Sequence, residues 1–577
     1  MTSPNIPTAS IPTDSLLRVA VKQSRTNIAA LICVSASINL MALNGSIYMM
    51  LVYDKALPSQ NMATLVGLFL FSTFIYVVQG FFETLRANIL SDFARYFEAK
   101  LAPHAIRASH DIALKGGAND TRNNPLKDLD QIRSFIASAG PSALLDLPWI
   151  VFFLSILSLL HIWLGVAALC GAITLVALTI VSERINKRVG STISEASQHR
   201  SRLIERMRRS AEALQSLGMK SRFADRYVAI NADLSRRNRS IASSIAIIST
   251  ASRTMRMFIQ SALLTVGAWL VINGQVSGGI IFASSILAGR ALAPIDQAIG
   301  QWRNFSLARA SWVRLEQTLA GAGNPEPRTA LPSPNGLLEA ENLSVAPPGV
   351  DQPTLRGVSF TCEPGAIVGV IGPSGSGKSS LARALVGAWP ATAGAVRIDG
   401  ATLDQWDSDM LGQHIGYLPQ SVELLDGTVA QNIARFEPEA SSDAVVAAAQ
   451  LAGVHQLTLR LPKGYETEVG EDGRNLSAGQ RQRIGLARAL YKSPRIVVLD
   501  EPNSNLDVEG EQALSSALIS LRKSNATALI VTHRQSVLKY CTHLLFISDG
   551  NLVKFGPRDD VLSGLKKNSN VHDISAA

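Results

Sequence analysis

The chain has 577 residues, 47% of them hydrophobic and only 17% charged, well below the ~25% charged residues of ordinary soluble domains. These figures exclude both a wholly water-soluble enzyme and a disordered chain, and a prior of ~150 residues per domain allows several cores. The formal net charge of +9 fits nucleic acid or an anionic lipid surface until the charges are placed, and Cys33, Cys170, Cys362 and Cys541 lie too far apart for a disulfide framework or a zinc site.

The apolar excess sits in the first half. Six segments are long and apolar enough to be read as membrane spans: Asn27–Val52, Met62–Phe82, Ser142–Leu160, Trp163–Val181, Met257–Ile272 and Val276–Pro294. The sixth carries Arg290 in its final turns, where an arginine must snorkel or face water. Residues 182–256 hold 16 Arg or Lys, and residues 83–140 are also basic, whereas His161–Ile162 and Asn273–Gln275 hold none. This alternation predicts cytoplasmic N- and C-termini under the positive-inside rule, and it places the basic runs on solvated helix faces rather than on nucleic acid.

Residues 1–26 read as a cytoplasmic tail with no cleavage site, too short for a folded domain. Residues 27–320 form the membrane domain, and its two long cytoplasmic excursions are each expected to hold two helices joined by a turn, near Gly116–Asp120 and near Gly218. Pro325, Pro327, Pro332 and Pro334 mark 321–336 as a linker. Residues 337–565 alternate short β-rich runs with helical patterns, as an α/β domain does, and 566–577 form a tail.

Within that second domain the buried strand Ala366–Ile371 runs into Gly372-Pro373-Ser374-Gly375-Ser376-Gly377-Lys378-Ser379, followed by a helical pattern from Ser380. This is GxxxxGK[ST] in strand–loop–helix context. The glycines let backbone N–H groups converge on phosphate, Lys378 would reach the β- and γ-phosphates, and the Ser379 hydroxyl would ligate Mg²⁺. The apolar strand Ile496–Leu499 ends in Asp500 and Glu501, positioned for Mg²⁺ and for a general base. His533 follows a further strand, Ala528–Val531, and reads as a γ-phosphate sensor.

Leu476-Ser477-Ala478-Gly479-Gln480 resembles the signature sequence of ABC ATPases. Gln420 after Tyr417-Leu418-Pro419 resembles their Q-loop, Ser504-Asn505-Leu506-Asp507 their D-loop and His533 their switch histidine, in the family's order over Leu338–Leu562. The resemblance implies a six-span α-helical ABC exporter transmembrane domain followed by an α/β P-loop ABC ATPase domain, working as a homodimer with two ATP molecules at its interface. It assigns catalysis to Glu501, His533 and Gln420, and Mg²⁺ to Ser379, Gln420 and Asp500. Nucleotide contacts fall to Gly372–Ser380 in one subunit and to Ser477, Gly479 and Gln480 of the other. In the resulting cycle ATP closes the dimer, Gln420 relays closure to the spans, and hydrolysis at Glu501 reopens it. One departure stands out: Val345-Ala346-Pro347-Pro348-Gly349 lacks the aromatic that usually stacks on adenine, so the base must rest on apolar or proline contacts.

Elements of the membrane half are similar to type I secretion ATPases of the PrtD-type branch. They are Val52-Tyr53-Asp54-Lys55-Ala56-Leu57-Pro58-Ser59, Asp128–Phe135, Asp146-Leu147-Pro148-Trp149 and Ala288–Pro294, together with Ala346–Gly349. This resemblance implies export of unfolded polypeptide cargo, such as proteases, lipases or repeat proteins with C-terminal signals, across a bacterial inner membrane. It also implies a periplasmic membrane fusion (adaptor) protein and a TolC-like outer-membrane channel as partners, with no nucleic acid. Export of a lipid or small amphiphile by the same ATPase chemistry remains the alternative.

Overall fold

The computed structural model describes residues 16–116, 124–321, 331–350 and 352–567. The turn expected at Gly116–Asp120, most of the linker and most of both tails fall outside these residues. The chain divides into two compact units: residues 1–110 with 121–323, and residues 111–120 with 324–577.

The first unit is helical. Among the described residues five helices are long and apolar enough to cross a membrane: Arg25–Ser59, Met62–Lys115, Gly140–Leu160, Thr250–Ile272 and Gly278–Ala320. The helix Ile162–Arg209 holds the start of the expected fourth span in its apolar stretch Ile162–Leu178. Helices run far past the apolar windows. Met62–Gly116 is 55 residues long, about 80 Å at 1.5 Å per residue, where ~20 residues cross the hydrocarbon. The helix that holds the expected sixth span runs on past Pro294, for Gly278–Gly321 carries that proline in its interior. A proline deletes a single N–H bond, and packing on both sides of it keeps the helix going. Gly218 does close a turn, with φ of +64° and the Met219 N–H donating to Leu214 O at 2.9 Å, a bond pattern that caps a helix C-terminus.

Three aspartates of the quoted membrane motifs tie helices together. Asp54 lies in a π-helical turn, Val52–Ala56, and accepts from Ser277 Oγ at 2.7 Å and from the Gly279 N–H at 2.9 Å. It thereby caps the last long helix with a charge of the right sign for an N-terminus. Tyr53 stacks on Phe282 with ring centroids 4.3 Å apart. Asp146, buried, accepts from Asn39 at 2.7 Å and pairs with Arg86 at 3.1 Å. Asp128, also buried, accepts from Arg314 of the last helix.

The second unit is built on a six-stranded sheet. Its strands are β3 (Ile367–Ile371), β6 (Ile415–Leu418), β7 (Ile496–Asp500), β8 (Thr527–Val531), β9 (His543–Ser548) and β10 (Asn551–Pro557). The order is β10-β9-β3-β8-β7-β6, parallel except for β10. Parallel strands are covered on both faces. Alternate residues go to opposite cores: Val497 and Leu499 to one cluster, Ile496 and Val498 to the other. A smaller antiparallel sheet, β2-β1-β4-β5, is formed by β1 (Leu338–Val345), β2 (Leu355–Cys362), β4 (Ala393–Ile398) and β5 (Ala401–Thr402).

Candidate functional site

In a parallel sheet the strands' carboxyl ends share one edge, and ligands bind there. Gly372 follows β3, Gln420 lies just after β6, Glu501 follows β7 and His533 lies just after β8, so four sequence-predicted groups from distant parts of the chain meet at that edge.

The loop after β3 needs its glycines. Gly372, Gly375 and Gly377 have φ of +153°, +79° and +99°, and a Cβ on Gly372 would lie 2.0 Å from Ile547 O. Pro373, Ser374 and Gly375 are exposed, while the hydroxyl of Ser376 is buried with no hydrogen-bond partner. Lys378, only 6% exposed, donates to the carbonyls of Gly372 and Pro373 at 2.9 and 2.7 Å, so its ammonium is held inside the loop. Burial pushes its pKa down, against the opposing carboxylates Glu501 and Asp500. Ser380 turns inward, and its hydroxyl accepts from Thr354 at 2.9 Å. It braces the loop with its side chain and can offer a ligand only its backbone.

Ser379 Oγ donates to Asp500 Oδ1 at 3.2 Å. Asp500 is fully buried, its pKa is raised by that burial, and its Oδ2 has no partner. A hydroxyl beside an orphaned buried carboxylate oxygen fits Mg²⁺, which takes one or two protein oxygens and completes its shell from phosphate and water.

Glu501 stands between two neighbours. Gln420 Nε2 donates to its Oε2 at 3.1 Å, and His533 Nε2 lies 3.9 Å from its Oε1. Glu501 has φ of +49°, strained for a side chain of this size, and its N–H is anchored to Val531 O at 3.0 Å. The pKa of His533 is lowered by burial and by the Lys378 charge, against Glu501, so the imidazole is neutral at pH 7. This arrangement can orient a water molecule beside a terminal phosphate.

Among the described residues no hydrogen bond links the signature residues to that cluster. Ser477 caps the helix Ala478–Leu490: its Oγ accepts from the Gln480 N–H at 3.2 Å, and Gln480 Oε1 accepts from the Ser477 N–H at 2.8 Å. The Gln480 side chain is thus spent on its own helix, while Ser477 remains exposed. This helix packs on β6, at the far edge of the sheet. β6 is three strand spacings from β3, about 14 Å.

Two contacts here carried no sequence signal. A Cβ on Gly479 would lie 2.9 Å from Asn505 O, so the glycine lets the signature turn touch the Ser504–Asp507 loop. Arg483 of the same helix, buried, pairs with Asp507, whose pKa is held low chiefly by the Gly510 N–H. Near β1, Pro347 O accepts from the Val350 N–H at 3.0 Å and Gly349 has φ of +78°. The aromatic-free segment is therefore a tight turn that leaves Val350 exposed.

Residues 355–504 match the ABC transporter family and residues 28–292 the ABC transporter transmembrane region. The chain is 45% identical to the type I secretion system ATP-binding protein PrsD of Rhizobium meliloti over 528 residues, 92% of this chain and 91% of that protein. It is 28% identical to the cyclolysin secretion/processing ATP-binding protein CyaB of Bordetella pertussis, over 96% of this chain and 79% of that one. It is also 28% identical to the alpha-hemolysin translocation ATP-binding protein HlyB of Escherichia coli, over 94% and 77%. A solved bacterial Atm1-family ABC exporter with ATP bound shares the fold, with a TM-score of 0.80 at 21% identity over 95% of this chain and 99% of that one.

Proposed function

Because the chain belongs to the type I secretion family of ABC transporters, we propose that it spends ATP hydrolysis on moving unfolded polypeptides across a bacterial inner membrane. It is a multi-pass membrane protein with an ATP-hydrolysing domain. The observation that most supports polypeptide cargo is the 45% identity to PrsD, which runs through both units. We place both termini in the cytoplasm, following the basic segments, and assign a periplasmic adaptor and a TolC-like outer channel as partners.

In this reading the N–H groups of Gly375, Gly377, Lys378 and Ser379 cradle the phosphates at a helix N-terminus, and the Lys378 ammonium neutralises the β- and γ-oxygens. Ser379 and the free oxygen of Asp500 hold Mg²⁺, which supplies charge compensation on the phosphates. Glu501 accepts a proton from the attacking water, Gln420 fixes one of its oxygens, and neutral His533 contacts the γ-phosphate. Pro347 and Val350 offer the base apolar contact in place of a ring. The Ser477 hydroxyl and the exposed helix end behind it serve the ATP of a second copy, because the width of the sheet separates them from their own phosphate loop. Gln480 serves by capping that helix.

The test is ATP turnover of the protein reconstituted in lipid vesicles. An unfolded polypeptide bearing its C-terminal segment is expected to stimulate turnover, and the same polypeptide without that segment is not. Stimulation by lipid or small amphiphile alone would instead favour the alternative cargo.

A further inference from the structure

The membrane unit holds a cavity of about 500 Å³ whose wall is almost wholly apolar. We propose that it binds one acyl chain of an anionic phospholipid from the cytoplasmic leaflet, with Arg309 holding the headgroup phosphate.

Helix geometry sets its depth. Ile89 and Phe305 line it, and each lies about 40 Å along its helix from the starts at Met62 and Gly278, where the bilayer with its headgroups is ~40–45 Å thick. Ile28 and Pro141, also in the wall, stand at the first turns of the helices Arg25–Met41 and Gly140–Asp146. The cavity therefore opens at headgroup level, on the basic side of the membrane. Trp312 adds an amphipathic ring to the wall, a residue favoured where lipid tails meet water.

Arg309 lines the cavity yet is exposed, and among the described residues no carboxylate pairs with it. Its stem lies on the apolar wall and its guanidinium is free to meet an anion. The volume also limits the occupant. A helix is ~10 Å across and rises 5.4 Å per turn, so this space takes about one turn of helix. It is too small for a partner's helix and suited to a flexible chain. The proposal uses the assigned orientation only to name the leaflet, so a wrong orientation would leave lipid binding in detergent intact.

The experiment adds phosphatidylglycerol with brominated tails to the delipidated full-length protein in detergent, and reads tryptophan quenching as the difference between wild type and Trp312→Phe. Quenching assigned to Trp312 is expected to saturate at one lipid per chain. Arg309→Ala, a surface change that leaves ATP turnover as a check on folding, is expected to weaken phosphatidylglycerol binding about five- to tenfold. Ala308→Phe, which fills the cavity, is expected to abolish that binding. The proposal is overturned if Trp312 is not quenched, if Arg309→Ala binds phosphatidylglycerol as wild type does, or if quenching appears only in monomeric protein, which would make the cavity a surface covered by a second copy. Displacement of the lipid by a cargo C-terminal peptide bound at the same stoichiometry would likewise overturn it.

Discussion

Glu501 sits at a backbone angle that costs of order 1–3 kcal/mol for a side chain of its kind, and the bond from its N–H to Val531 keeps it there. Its carboxylate is thereby held between Gln420 and His533. Replacing Glu501 with Gln keeps the shape and would remove the proposed base, so turnover should fall about 10²–10⁴-fold with ATP affinity unchanged; rapid single-turnover hydrolysis by the variant would remove Glu501 from that role. Lys378→Ala should instead weaken ATP binding itself, measured by nucleotide titration. His533 carries a lowered pKa, so its proton arrives only below the ordinary value of ~6.5. ATP turnover should stay level between pH 7 and 8 and decline below 6.5, and an acid limb centred above 7 would contradict a neutral imidazole. Gln420, Glu501 and His533 were singled out by short motifs, and the fold brings them together because each lies just past the carboxyl end of a strand. Gly479 was legible as a motif residue but not for its reason, since its close approach to Asn505 O joins two loops far apart in sequence. Gly479→Ala should push the two loops apart and slow turnover while ATP still binds at the Lys378 loop.

The helices and strands were readable to different depths. Runs such as Val497–Leu499 announce buried parallel strands through unbroken apolar composition. The spans showed through hydropathy, while the unbroken passage of one helix through Pro294 depends on packing along the whole element, which outweighs the local cost of a proline. The carboxylate ties were hidden for the same reason. Asp54 reaches Gly279 and Asp146 reaches Arg86 and Asn39, pairings that leave no local pattern. Asp146→Ala would leave the partly buried Arg86 without its carboxylate, and the loss should be about 1–3 kcal/mol. Thermal unfolding in detergent should show it as a clear fall in Tm, with Arg86→Ala/Asp146→Ala less destabilised than the two single losses added. An additive double variant would mean that the pair is decorative.

For the molecule as a whole, the sheet order separates the phosphate loop on β3 from the signature helix packed on β6. In the proposed reading one chain carries both halves of an ATP site without joining them, and the missing half comes from a second copy. Strand order is a property of the folded sheet, so composition and motif spacing do not give this separation. Co-reconstituting two dead variants in lipid vesicles tests it most directly: Lys378→Ala, lacking the phosphate loop's charge, and Ser477→Arg, blocking the signature helix end. A mixed pair contains one site with both halves intact, so ATP turnover absent from either variant alone should return on mixing. Turnover that stays at zero in vesicles where mixed pairs form, or Ser477→Arg that hydrolyses ATP at the wild-type rate alone, would contradict it.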